Sequence, residues 1–164
     1  MHNERSAKWH IRFIKLAREI ALWSKDPSSK IGAVIVSKHG DIISQGYNGF
    51  PRGVADTEER LTNREEKLKR VVHGEANAIY NAARRGAATD GASIYVCLLP
   101  ICENCAKAII QAGITNVYIE STANIHDPAH RWYPSWRIAM ELFNEACVVV
   151  IAVDMETGQM NACS

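Results

Sequence analysis

Hydrophobic residues follow two different periods along the first fifty positions of this chain, and each period predicts a type of element. Between Trp9 and Trp23, apolar side chains recur every three or four residues, which is the spacing of an amphipathic helix. Residues 26–29 contain a proline and small polar residues and predict a turn. The apolar, β-branched run at 31–37 and the run at 41–47 then predict the two strands of a hairpin.

A pattern of charge marks residues 57–70. Basic and acidic side chains are interspersed there, and Glu65 and Glu66 each precede a basic residue by four positions, which stabilises a helix. We therefore predict a solvent-exposed helix or helical loop, with phosphate binding as the alternative interpretation. The following residues, 71–84, are apolar and alanine-rich and predict a helix that ends at Gly86.

The rest of the chain alternates between short apolar runs and helical patterns. Strands are predicted at 93–98, 115–120 and 147–153, and helices at 102–112 and 136–145. Such alternation requires crossover connections, so the third, fourth and fifth strands should run parallel with helices on both faces. The sequence thus predicts a single α/β domain across residues 1–164, with a five-stranded mixed sheet. The polar tail after residue 153 is predicted to fray.

The amino-acid composition indicates which kind of molecule the protein binds. The 164 residues are 47% apolar and 23% charged, with a net charge of +1, which fits one folded domain and supplies no basic footprint for nucleic acid. A small-molecule substrate is therefore favoured. The chain has no apolar run of membrane-spanning length, and its first ten residues lack the apolar core of a secretory signal, so we expect a cytoplasmic protein.

The chain has five cysteines, an odd number that argues against a disulfide framework. Cys97 and Cys147 lie within apolar runs and are predicted to be small core residues. Cys102 and Cys105 differ from them because they form a Cys-x-x-Cys pair at the start of a predicted helix. A helix N-terminus lowers the pKa of a thiol, which favours the thiolate that a metal requires.

The cysteine pair has a partner in the sequence His73-Gly74-Glu75. One histidine and two cysteines supply three ligands to a tetrahedral Zn²⁺ and leave the fourth position open, as catalytic zinc sites do. Glu75 is poorly placed to ligate the same ion and is the candidate general acid and base. A structural zinc or a redox thiol pair is the alternative, but the partner is His-x-Glu at a helix start instead of a second Cys-x-x-Cys.

Taken together, these motifs resemble the signature of the zinc-dependent nucleobase deaminases. Over residues 8–152 the chain is similar to the deoxycytidylate deaminase branch of the cytidine deaminase-like superfamily. Besides the zinc motifs, the resemblance rests on residues 26–33, on 46–51 and on the stretch from Cys105 to Gly113. It implies the three-layer α-β-α cytidine deaminase-like fold.

The resemblance also implies roles for individual residues. Asn48 and Gly49 should touch the sugar or the base, and Lys30 should lie near the 5′-phosphate. Lys30 suits this role because it directly precedes a buried strand, which would hold the stem of its side chain. From the predicted topology, Trp132 and Tyr133 follow the fourth strand at the carboxyl edge of the sheet and are predicted to close over the base, with core packing as the alternative.

Two positions depart from the family pattern. Ile101 separates Pro100 from Cys102, where the family commonly places the proline directly before the cysteine. Gly74 replaces the usual alanine or valine in the histidine motif, which costs about 1 kcal/mol of helix propensity. We expect the glycine to free space beside the metal.

The activity that the resemblance implies is the zinc-dependent hydrolysis of dCMP to dUMP and ammonia. Other substrates stay open: a free base, a nucleoside, guanine, or adenosine in RNA, although the net charge argues against RNA. A non-catalytic zinc or nucleotide-binding module is the alternative from another class, and the intact Glu75 argues against it. The resemblance further implies a homo-oligomer, a dimer or a hexamer, with regulation by dCTP and dTTP.

Overall fold

The structure is a computed structural model, and it describes residues 5–121 and 127–163. These residues form six helices and six strands. The helices are α1 (Ala7–Ala21), α2 (Glu58–Thr62), α3 (Arg64–Arg70), α4 (Gly74–Arg84), α5 (Glu103–Gln111) and α6 (Tyr133–Glu145). The strands are β1 (Gly32–Val36), β2 (Ile42–Tyr47), β3 (Ser93–Val96), β4 (Asn116–Glu120), β5 (Val149–Val153) and β6 (Met160–Ala162).

The strands form one mixed sheet in the order β2-β1-β3-β4-β5-β6. β3, β4 and β5 run parallel, as predicted, and β1 is antiparallel to both of its neighbours. Because side chains alternate along a strand, β1 serves two cores. Ala33 and Ile35 pack with helices α4, α5 and α6, whereas Val34 and Val36 pack with α1. This confirms the three-layer α-β-α fold.

The sheet has six strands, so the prediction of five was wrong. The tail after β5 makes a tight turn in which the Asp154 carboxylate accepts the backbone N–H groups of Glu156 and Thr157, at 2.9 and 2.8 Å. β6 then pairs antiparallel with β5. Aspartate at such a position satisfies the backbone of a turn locally, which is why this polar tail does not fray before it reaches the sheet edge.

Two expectations about the core were also wrong. Cys147 is exposed and lies in the short connection between α6 and β5, with a φ of 56°. Trp9 and Trp23, which set the predicted helical period, are 47% and 57% exposed. Cys97, in contrast, is buried as predicted. The errors share a cause, because each misplaced residue lies near the end of an element or beyond it, where periodicity no longer determines which side chains face the core.

The charged segment forms two short helices, α2 and α3, which meet at Asn63. The Asn63 side chain accepts the N–H of Glu66 at 3.2 Å and so caps α3. Lys69 lies 2.7 Å from Glu65 and Arg70 lies 2.6 Å from Glu66, which confirms the predicted pairs four residues apart. α4 begins only at Gly74, three residues later than predicted, because residues 71–73 are extended.

Across the described ranges, no helix combines the length and the apolar character that crossing a bilayer requires.

Candidate active site

The predicted metal ligands lie at the N-termini of two neighbouring helices. His73 is the N-cap residue of α4, Cys102 is the N-cap residue of α5, and Cys105 lies in the first turn of α5. The Nδ1 atom of His73 is 3.4 Å from each of the two sulfur atoms, and the three ligand atoms all lie within 4.8 Å of one another. Ligands of one tetrahedral zinc are separated by about 3.5 Å, given metal–ligand distances of about 2.0 to 2.3 Å. The donor set therefore fits Zn²⁺.

Contacts with the hairpin fix the start of α4. A methyl group on Gly74 would lie 3.0 Å from the carbonyl oxygen of Ile31, so this residue faces the backbone beside β1. The expectation that Gly74 frees space beside the metal was thus wrong. Gly46 in β2 approaches the same turn so closely that a methyl group there would overlap the backbone of Gly74 and Ala78. An isolated bridge between Gly49 and Val72 holds the chain just before His73.

Ionisation of the ligands is strongly coupled. Hydrogen bonding from Cys105, with a further contribution from His73, lowers the pKa of the Cys102 thiol to about 4. The pKa of the Cys105 thiol is raised, first by Cys102 and then by burial. Hydrogen bonding to Cys102 raises the pKa of His73 to about 9. Because zinc binds thiolates and neutral imidazole, its binding to this cluster must release protons.

Glu75 lies in the first turn of α4 and is only 4% exposed. Burial raises the pKa of its carboxyl, and the nearby His73 opposes this effect. The carboxyl lines the same cavity as His73 and Cys102 but does not belong to the ligand group. A buried carboxyl with a raised pKa beside a group of metal ligands is suited to accept and return protons.

The cavity has a volume of about 210 Å³ and extends from the metal ligands to the turn at residues 26–31. Of the substrate contacts expected from the sequence, Asn48 and Trp132 line it. Lys30 is exposed and lies outside the lining, between the lining residues Ser29 and Ile31. Gly49 and Tyr133 also lie outside it.

Asn48 joins the hairpin to the turn that borders the cavity. Its side-chain oxygen accepts the N–H of Ile31 at 2.8 Å, and its side-chain nitrogen donates to the carbonyl oxygen of Ser29 at 2.8 Å. The residue is 5% exposed. Both ends of this amide are therefore engaged in holding the turn, which gives the residue a structural role at the cavity wall.

A buried ion pair that the sequence patterns did not predict lies beneath the same turn. The Lys67 ammonium is 2.9 Å from the Asp26 carboxylate and 3.0 Å from the Ser28 hydroxyl, and both charged side chains are 7% exposed. Burial alone raises the pKa of the Asp26 carboxyl, but Lys67 and the N–H groups of Ser28 and Ser29 outweigh it and hold that pKa below its usual range. Lys67 belongs to the mixed-charge segment, and no local signal separates it from its solvent-exposed neighbours.

Ile101 lies in the core behind the cysteine motif, whereas Trp132 lines the cavity. Ile101, the extra residue before Cys102, is fully buried and belongs to the larger core cluster, so the insertion adds a core side chain. The Trp132 ring packs beneath the Arg131 guanidinium, whose carbon is 5.1 Å from the ring centre. The indole N–H of Trp132 is buried and has no hydrogen-bond partner among the residues that the structure describes.

Comparison with known proteins agrees with this geometry. The family model of the cytidine and deoxycytidylate deaminase zinc-binding region matches residues 7–121, which include all three proposed ligands and Glu75. An uncharacterized deaminase of the luxG 3′ region of Aliivibrio fischeri is 40% identical over 144 residues, covering 88% of this chain and 92% of the relative. The deoxycytidylate deaminase of Homo sapiens is 40% identical over 122 residues, which are 70% of this chain and 65% of the human protein.

Solved structures show the same fold. The dCMP deaminase of the cyanophage S-TIM5, in complex with dCMP and dUMP, superposes with a TM-score of 0.68 at 25% identity, covering 90% of this chain and 98% of the phage protein. The animal relatives are longer than the region that they share with this chain. The shared region covers 56% of the Caenorhabditis elegans protein and 65% of the human protein. With the family model matching most of its length, the chain belongs to the cytidine and deoxycytidylate deaminase family.

Proposed function

We propose that the protein catalyses the zinc-dependent hydrolytic deamination of dCMP to dUMP and ammonia. One observation carries the proposal: the buried carboxyl of Glu75 shares a cavity with the donor set of His73, Cys102 and Cys105. The dCMP specificity is supported by relatives named deoxycytidylate deaminases and by the phage enzyme that holds dCMP and dUMP.

The chemistry divides between the metal and one side chain. His73, Cys102 and Cys105 would hold the zinc ion, which would supply the Lewis acidity that makes water nucleophilic at neutral pH. As the oxygen of the attacking water bonds to C4 of the base, Glu75 accepts one proton from that water. Glu75 then delivers this proton to N3. The second proton of the water then passes through Glu75 to the amino group. The C4–N bond breaks, ammonia leaves, and the ring becomes a uracil.

The surrounding residues orient the base. We propose that Trp132 packs against the ring, because it lines the cavity that contains Glu75. Asn48 lines the cavity as well, and we propose that it contacts the sugar or the base while its amide holds the turn. The roles of Lys30, Gly49 and Tyr133 stay predictions from the sequence.

A substrate screen tests the proposal. Ammonia release by the zinc-loaded protein is measured with cytosine, deoxycytidine, CMP, dCMP and guanine, and the Glu75→Gln variant serves as the catalytic blank. We expect dCMP to give the highest kcat/KM. A higher value for guanine, cytosine or deoxycytidine would assign the chain to another deaminase, and no ammonia from any of them would favour a non-catalytic binding module.

We further propose that the protein acts as a homo-oligomer, a dimer or a hexamer, and that dCTP and dTTP regulate it. Both properties rest on the resemblance to deoxycytidylate deaminases. Sedimentation of the zinc-loaded protein with and without dCTP measures the first, and kinetics at subsaturating dCMP measure the second. The cytoplasmic location stays a prediction from the sequence.

A further inference from the structure

The basic residues that line the cavity differ in whether their charges are already paired. Three of them, Arg64, Lys67 and Arg131, are arginine or lysine side chains. Lys67 is buried and bound to Asp26. Arg64 and Arg131 are exposed, and across residues 5–121 and 127–163 neither lies within ion-pair distance of a carboxylate. The cavity therefore keeps two arginines whose charges have no carboxylate partner within the described part of the chain.

The charges of the lining support the same conclusion. Its two carboxylates are Asp26 and Glu75. Lys67 compensates Asp26, and Glu75 is required for proton transfer. Two thiolates would compensate a bound Zn²⁺. The two arginines remain, and their combined charge matches a phosphate monoester, which carries about −1.5 to −2 at pH 7.

We infer that Arg64 and Arg131 bind the 5′-phosphate of the substrate and select nucleotides over nucleosides. This inference rests on the proposed function, because it takes the reacting base to lie at Glu75. The base of the substrate must reach the carboxyl of Glu75, which is only 4% exposed. Because a phosphate is strongly hydrated, the other end of the substrate should lie at the solvent-exposed side of the cavity, and both arginines are exposed. Arginine is suited to the task because its planar fork donates two parallel hydrogen bonds to phosphate oxygens.

Two neighbours prepare this site. The Arg131 guanidinium packs over the Trp132 ring through its flat face. The N–H donors of the guanidinium lie in its plane, so they remain available to a ligand. The Ser28 hydroxyl, which lines the same cavity, accepts a hydrogen bond from Lys67 at 3.0 Å. Its own proton is then directed away from Lys67, so Ser28 supplies a neutral donor to the cavity in addition to the two arginines.

The first test compares substrates with and without the phosphate. Arg64→Ala and Arg131→Ala are each assayed on dCMP and on deoxycytidine. We expect each change to lower kcat/KM for dCMP by roughly 10- to 100-fold, the loss of one charge-assisted contact, and to leave deoxycytidine unaffected. Equal losses of kcat/KM on both substrates would overturn the inference, because they would show that the arginines affect the site without binding the phosphate.

Arg84→Ala is the matched control, since it removes one exposed arginine from α4, outside the cavity lining. It should leave the ratio of the two kcat/KM values unchanged. Lys30→Ala tests the competing assignment. If Lys30→Ala lowers that ratio and the cavity arginine variants do not, the inference is overturned in favour of Lys30. Arg64→Lys and Arg131→Lys should retain part of the preference, because they keep the charge and lose the fork.

A binding experiment separates this inference from the proposed reaction. Calorimetry measures dUMP and deoxyuridine binding to the zinc-loaded protein and to the Arg64→Ala/Arg131→Ala double variant, and needs no turnover. If the wild type binds dUMP more tightly than deoxyuridine and the double variant does not, the phosphate assignment is supported. That conclusion holds even if dCMP is not deaminated, and in that case only the proposed function fails. Equal binding of dUMP and deoxyuridine by the wild type overturns the assignment even if dCMP is turned over.

Discussion

The two walls of the cavity are built in different ways. The metal wall takes His73, Cys102 and Cys105 from the first turns or caps of two helices, so short motifs bring its ligands together. The wall at residues 26–31 depends on Lys67, which is 41 positions from its partner Asp26. The first wall holds the candidate metal ligands, and the second borders the rest of the cavity. The comparison teaches that local motifs mark the candidate metal site, whereas the shape of the cavity also depends on a long-range pair.

Removing a metal ligand should have the largest effect. Cys105→Ser is expected to lose zinc and all measurable ammonia release, because two ligands do not hold the ion as three do. Elemental analysis of the purified variant measures the loss against one zinc per chain in the wild type. Cys147→Ser, which removes an exposed thiol, is the control and should keep its zinc. Full zinc occupancy in Cys105→Ser would assign the ligand elsewhere.

Glu75→Gln should separate proton transfer from metal binding on the same wall. We expect kcat to fall by roughly 10²- to 10⁴-fold, the usual contribution of general acid–base catalysis, with zinc content unchanged. Steady-state kinetics and elemental analysis on the same sample test both parts. Near wild-type turnover would show that Glu75 is not the proton carrier. Loss of zinc would show instead that its carboxyl is a ligand.

Lys67→Met should affect the second wall through stability. It leaves the Asp26 carboxylate buried without its counter-charge, which costs about 3–5 kcal/mol of unfolding free energy. Urea denaturation of the zinc-loaded protein measures the loss. The double variant Asp26→Asn/Lys67→Met should recover part of it, since both charges are then gone. The control Lys69→Met breaks an exposed pair and should cost at most about 1 kcal/mol; a similar loss in both single variants would contradict the comparison.

The pH dependence of this pair is a smaller effect with a defined sign. Because the folded-state pKa of Asp26 lies below the ordinary value of 3.8, the pair stabilises the fold fully above that value. The contribution is lost as pH falls below 3.8 toward the folded-state pKa. The difference in unfolding free energy between wild type and Asp26→Asn should therefore shrink with acid in that range, and a constant difference would show that folding does not lower the pKa of Asp26.

The features that could be predicted from the sequence are those that depend on local motifs, and the features that were missed depend on long-range contacts. The grouping of His73, Cys102 and Cys105 could be predicted because zinc requires particular residues at fixed spacings, and the parallel strands because crossovers permit few arrangements. The catalytic role of Glu75 stays a prediction. Lys67 could not be identified, because its burial depends on contact with the turn at residue 26 and not on its own segment. Cys147 was misplaced because its apolar run begins before the strand does. The sixth strand was missed because pairing of the backbone, not side-chain burial, stabilises it.

The close approach of Gly46 to the first turn of α4 has a consequence for how this enzyme tolerates change. That contact is between backbones, so a side chain at Gly46 finds no rotamer that avoids the carbonyl oxygen of Gly74. Any larger residue must push the helix away from the sheet, and Glu75, one position further along, moves with it. The distance between Glu75 and the candidate metal ligands is thus set by a strand outside the site, and engineering of the cavity has to leave the hairpin backbone unchanged.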